Sequence, residues 1–172
     1  MKRRAALACA LAACSAGCGP WPTPIATATK RPRWPTLDVR DFDGRELTLA
    51  ATPGKPQLIN LWALWCPPCR AELPALERLA GVLAPQGIGV TALALADDVF
   101  AVREYLAQNA VRLRGAVLDP KLPVVREELA IDALPQTFVV DRDGNIAVCW
   151  VGARAWDSAP VRADVARVLQ GA

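Results

Sequence analysis

"LWALWCPPCRAELP", Leu61 to Pro74, holds two of the six cysteines of this 172-residue chain, with two prolines between them. Just before the pair, the apolar run QLINLWA has the length of a buried strand. After it, Leu73, Leu76, Leu79, Ala80 and Leu83 recur at helical spacing, which predicts a helix from near Cys66 to about Leu83. The cysteines therefore fall where a strand gives way to a helix. A Cys-x-x-Cys pair there is a metal clip, a structural disulfide or a redox dithiol.

The position favours redox chemistry for a physical reason. A sulfur at the first helical turn lies near unpaired backbone N–H groups and the positive end of the macrodipole, which favour thiolate over thiol. The Cys66 pKa is expected below the free value of about 8.5. Cys69 follows almost one turn later, within disulfide reach. Pro67 and Pro68 occupy early positions where a missing N–H costs little, and they stiffen the turn.

The alternatives are weaker. The chain has no histidine and no second Cys-x-x-Cys to complete a zinc shell, so no metal or other cofactor is expected. Haem attachment requires histidine directly after the pair, where Arg70 stands. A disulfide across so short a loop constrains little of the unfolded chain. A copper-binding chaperone would use the same soft ligands, but Met1 is the only methionine on offer.

Outward from the pair, strands and helices alternate. LDVRDFDGRELTLA reads as a hairpin about Asp43-Gly44, VTALAL as a second buried strand and GAVLD as a third. Val99, Val102 and Leu106 mark a helix capped by Asp97-Asp98, and PVVREELA a short helix with Pro123 in its first turn. QTFVVDRDGNIAVCWVG reads as a hairpin turning at Asp143-Gly144. Val161, Val165, Val168 and Leu169 then form one stripe of a final helix after Asp157-Ser158. This order implies an α/β domain, a mixed central sheet with helices on both faces.

The chain opens with Lys2, Arg3 and Arg4 before the apolar AALACALAAC, the pattern of an export leader over residues 1–13. No later run approaches the ~18 apolar residues of a membrane span. LAAC, ending at Cys14, resembles a bacterial lipobox, with Cys18 a second candidate. The resemblance implies cleavage before Cys14 and its lipidation, and multiple acyl chains anchor firmly. Residues 14–35 are rich in Pro and Thr and read as a tether, and residues 36–172 as the domain. Removal of the three leader cations leaves 17 basic against 17 acidic residues, which gives no electrostatic reason to expect nucleic acid.

NLWALWCPPCRAELPAL resembles the active-site segment of the TlpA/ResA group of membrane-anchored thioredoxin-like proteins, and LPQTFVVDRDGNI resembles their proline loop and hairpin. The resemblance implies a thioredoxin fold with an added N-terminal hairpin, Cys66 as nucleophile, Cys69 as resolving thiol and Pro135 in cis facing the disulfide. X-Pro is the bond type that tolerates cis. It further implies a monomeric periplasmic thiol-disulfide oxidoreductase of a Gram-negative bacterium, on its inner or outer membrane. Its substrates would be protein disulfides, such as apocytochrome c haem-binding cysteines or copper-site cysteines, and its electron donor a membrane protein of the CcdA or DsbD kind. An oxidant or isomerase would share the same residues.

Asn60 stands where cytosolic thioredoxins place a buried aspartate, and an amide cannot shuttle a proton. Glu72, three residues after Cys69, matches a glutamate that assists thiol chemistry in the group. Pro74 is expected to kink the helix. Trp65 is expected to pack beside the disulfide and shape access to it. Ala133 and Gln136 replace a glycine and a threonine common in the group, and Cys149 reads as a shielded free thiol.

Overall fold

The structure is a computed structural model that describes residues 31–171. The leader, Cys14, Cys18 and most of the tether lie outside the described residues. Seven strands form one mixed sheet: β1 (Leu37–Asp41), β2 (Glu46–Leu49), β3 (Gln57–Trp62), β4 (Gly89–Leu95), β5 (Gly115–Leu118), β6 (Gln136–Val140) and β7 (Ile146–Val151), in the order β2-β1-β5-β4-β3-β6-β7. The central strands β3, β4 and β5 are parallel, and a hairpin closes each side. Among the described residues the α-helices are α1 (Pro67–Leu83), α2 (Val99–Gln108), α3 (Pro123–Glu127) and α4 (Ala159–Gln170).

The period-2 alternation of β3 divides the core in two. Leu58 and Trp62 face α1, α2 and α4, packing with Leu73, Leu76, Val102 and Val165. Ile59 and Leu61 face the other way, toward Val125 of α3, Leu129 and Trp34. Helices thus cover both faces of the sheet, as the alternation of elements requires. Covered on both faces, β3 is apolar from Leu58 to Trp62 except for buried Asn60.

Both hairpin turns use one device. The Asp41 carboxylate accepts the N–H groups of Asp43 and Arg45, that of Asp141 accepts those of Asp143 and Asn145, and Gly44 and Gly144 take φ near +85°. The side chain replaces the missing ladder bonds of the turn.

The structure also shortens the helix read at PVVREELA and adds detail elsewhere. Trp34, within the Pro-rich stretch, is 5% exposed, stacks edge-on against Phe138 and donates its backbone N–H to Gly144 O at 2.9 Å. The chain is therefore joined to the sheet ahead of Thr36. The helix at PVVREELA closes early, because Leu129 N–H reaches back to Val124 O at 2.9 Å and Ala130 adopts φ +48°. Ser158 caps α4 in position without a side-chain bond, and Asp157 instead accepts from Arg78 of α1 at 2.7 and 2.9 Å. Pro74 stands inside α1, which continues through it to Leu83.

Strand register decides what meets the cysteines. β6 runs antiparallel to β3 and begins with Gln136 opposite Leu61, while β7 ends with Val151 opposite Gln136. The end of β3, the residues before β6 and the loop after β7 therefore gather at one end of the sheet. Among the described residues no helix is long and apolar enough to cross a membrane.

Candidate active site

Cys66 is the N-cap of α1, in extended conformation, and is disulfide-bonded to Cys69 with Cα atoms 5.3 Å apart. Because Pro67 and Pro68 carry no N–H, the first free donor of the helix belongs to Cys69. It points at Cys66 Sγ, 3.3 Å away. The two prolines thus reduce the helix terminus to one donor aimed at one sulfur. Cys66 retains 4% exposure and Cys69 none, so Cys66 is the more accessible residue of the two. The Leu134-Pro135 bond is cis, and Pro135 is buried at the same end of the sheet.

Glu72 is buried, at 4% exposure, one turn beyond Cys69. Its Oε1 accepts from Asn60 Nδ2 at 2.8 Å, and its Oε2 accepts from Arg154 N at 2.8 Å and from the Trp156 indole at 2.9 Å. Burial pushes the carboxyl above its ordinary value of 4.5, against the pull of these three N–H donors and of the Arg154 charge. Each carboxylate oxygen offers two lone pairs, so Oε2 is fully engaged and the open proton site is on Oε1.

Asn60 cannot titrate, but it is far from inert. Its Nδ2 spans α1 and β6 by donating to Glu72 and, at 2.9 Å, to Thr137 Oγ1, while its Oδ1 is buried without a partner among the described residues. The sequence reading identifies Glu72 and Asn60 separately and misses the other partners. Arg154 and Trp156 lie 82 and 84 residues after Glu72, and no local pattern links them to it.

Trp65, expected beside the disulfide, is 74% exposed, whereas Trp62 is fully buried with its ring 5.8 Å from Tyr105. Gln136 turns into the sheet and donates to Cys149 Sγ at 3.1 Å. Burial pushes the Cys149 thiol up, partly offset by that bond. Cys149 is thus a protonated free thiol at neutral pH, outside the Cys66–Cys69 pair. Among the described residues no cluster of three or more His, Cys, Asp or Glu could hold a metal. A surface groove at the opposite end of the sheet, around Phe42, Leu49, Lys55, Gln57, Gly89 and Arg114, contains none of the site residues.

Residues 30–165 match the family model described as Redoxin. The chain is 26% identical over 118 residues to the thiol-disulfide oxidoreductase ResA of Bacillus cereus, covering 69% of this chain and 67% of that protein. It is 32% identical over 129 residues to the thiol:disulfide interchange protein DsbE of Pseudomonas aeruginosa, covering 73% and 68%. A crystal structure of a thioredoxin-family thiol:disulfide interchange protein from Chlorobium tepidum superposes with a TM-score of 0.66 at 25% identity, over 85% of this chain and 99% of that one. With the Cys66–Cys69 disulfide at the head of α1, this chain belongs to the Redoxin family, has the thioredoxin fold, and stands close to thiol-disulfide oxidoreductases of the ResA and DsbE type.

Proposed function

We propose that this protein is a periplasmic reductant of disulfides in exported proteins, held to a bacterial membrane through lipid on Cys14. The observation that carries the redox reading is the Cys66–Cys69 disulfide at the head of α1 with a buried carboxyl one turn beyond. In the reduced protein, Cys66 thiolate attacks one sulfur of a substrate disulfide, forming a mixed disulfide and releasing the first substrate thiolate. Cys69 loses its proton to Glu72 Oε1 and attacks Cys66 Sγ, releasing the second substrate thiolate. Two electrons pass to the substrate and the enzyme is left oxidised. A membrane thiol donor of the CcdA or DsbD kind would return it to the dithiol. Haem-binding cysteines of apocytochrome c and copper-site cysteines are the substrate classes that the resemblance suggests.

The Cys69→Ser variant attacks without resolving, so partners stay bonded to Cys66 and can be identified from cell membranes. Recovery of exported proteins with paired cysteines supports the reading; recovery of none, with wild-type thiol reactivity intact, opposes it. Intact mass of the same preparation reads the mature terminus. A lipid-modified Cys14 is expected, and an unmodified terminus elsewhere removes the anchor.

Glu72→Gln keeps the shape of the side chain and removes its titration. Disulfide exchange is expected to slow roughly 10- to 100-fold near neutral pH, within the range lost with a general acid or base. Its pH profile should lose the step that Glu72 contributes. The stability sign follows from the raised value. The folded chain binds this proton more tightly than the unfolded one, so the contribution is full at low pH and declines as pH rises through the folded value. Denaturation midpoints of the variant should lack that decline. Profiles superimposable on wild type would mean that water carries the proton.

A further inference from the structure

The loop between β7 and α4 reaches back across the sheet end and closes over Glu72. Two of the three donors on that carboxyl come from it, the Arg154 N–H and the Trp156 indole, both on Oε2. The loop is itself braced. The Arg154 guanidinium lies 4.7 Å from the Trp150 ring centroid, its Nη1 is 3.8 Å from Asp164 of α4, and the Arg154 side chain is 9% exposed. Trp156 is fully buried, with its ring 6.0 Å from that of Trp150. Arg167 forms a further pair with Asp164. A half-buried cation and a buried donor therefore belong to the loop that engages Oε2 of Glu72.

We propose that Trp156 and Arg154 are positioning residues for the thiol chemistry: they hold Glu72 Oε2 as a permanent acceptor, present Oε1 for proton exchange, and set how tightly Glu72 holds its proton. The inference deepens the role given to Glu72 above and rests on it. A hydrogen bond to the ionised form, or a nearby positive charge, favours the carboxylate, and burial opposes both. Burial is the largest influence on Glu72, and among the influences that oppose it the Arg154 and Trp156 donors and the Arg154 charge come from the loop. Among the described residues, the other groups on this network are neutral Asn60 of β3 and Thr137 of β6, and Asp164 of α4, which pairs with both Arg154 and Arg167, while Cys66 and Cys69 stand at the head of the helix that carries Glu72. Asp164 draws on the Arg154 charge, so α4 acts on Glu72 in the direction opposite to the loop.

These relations give shifts of opposite sign, which a loss of packing does not produce. The readout is the pH dependence of Cys66 alkylation and of disulfide exchange in the reduced full-length protein. Trp156→Phe removes the indole donor while keeping an aromatic ring, and should move the Glu72 step up by about one pH unit. Arg154→Met removes the charge but not the backbone donor and should also move it up. Asp164→Asn leaves Arg154 less compensated and should move the step down by about half a unit. Should Trp156→Phe fail to fold, the Arg154 and Asp164 variants still decide between the two signs. If Glu72→Gln removes the step but none of the three variants moves it, the loop is only structural and the role of Glu72 stands. If Glu72→Gln itself leaves the profile unchanged, the role of Glu72 fails and this inference fails with it.

Discussion

Cys66→Ser is expected to lower disulfide exchange by on the order of 10³-fold or more, the scale of losing an essential nucleophile. The effect is large because nothing nearby substitutes. Cys69 has no exposed surface, and Cys149 is a free thiol kept protonated by its burial. A serine hydroxyl at the same N-cap keeps the bond from Cys69 N–H but does not ionise at neutral pH, so stability should change little. The same asymmetry appears in alkylation of the reduced wild type. Cys66 is the more accessible residue and receives the aimed Cys69 N–H, and should react at least about tenfold faster than Cys69. Peptide mapping after a short iodoacetamide pulse reads this directly. Equal labelling at both positions, or residual exchange in Cys66→Ser above about a tenth of wild type, would refute the assignment of nucleophile.

Gly115→Ala is expected to produce the largest loss of stability from a single methyl group. A Cβ there would lie 2.3 Å from Ala92 O and 2.4 Å from Phe42 Cζ. The phenyl ring can swing aside. The carbonyl cannot, because Ala92 is fixed between β3 and β5 in the middle of the sheet. The cost is overpacking against backbone, about 3 kcal/mol, or a fall in melting temperature of about 10 °C. Gly115 begins β5 and touches no active-site residue, so the folded fraction should keep wild-type exchange rates. A melting temperature within about 2 °C of wild type would show that the strands part freely at this point.

Local chemistry carried a large share of the fold. The alternation of apolar runs with 3.6-period stripes implied three central strands and their helices, and Asp-Gly pairs marked both hairpin turns, because those signals act between residues close in sequence. Cys66, Cys69, Pro67 and Pro68 were legible for the same reason: a helix terminus acts on the first residues of its own helix. Glu72 was legible as a helical neighbour of Cys69. Its burial and its partners were not, and neither was the attachment of Trp34 to the sheet, since each depends on a contact with a distant segment.

The chain's own order of residues settles the reacting pair and the strand-helix junction that activates it, through forces that fall off within one helical turn. Packing settles the surroundings of Glu72. Asn60, Thr137, Arg154 and Trp156 surround Glu72 only because β6 lies antiparallel to β3 and the chain returns along β7, bringing residues 60, 72, 137, 154 and 156 to one sheet end. Desolvation and hydrogen bonding at that carboxyl are sums over neighbours in space, and sequence spacing does not encode them.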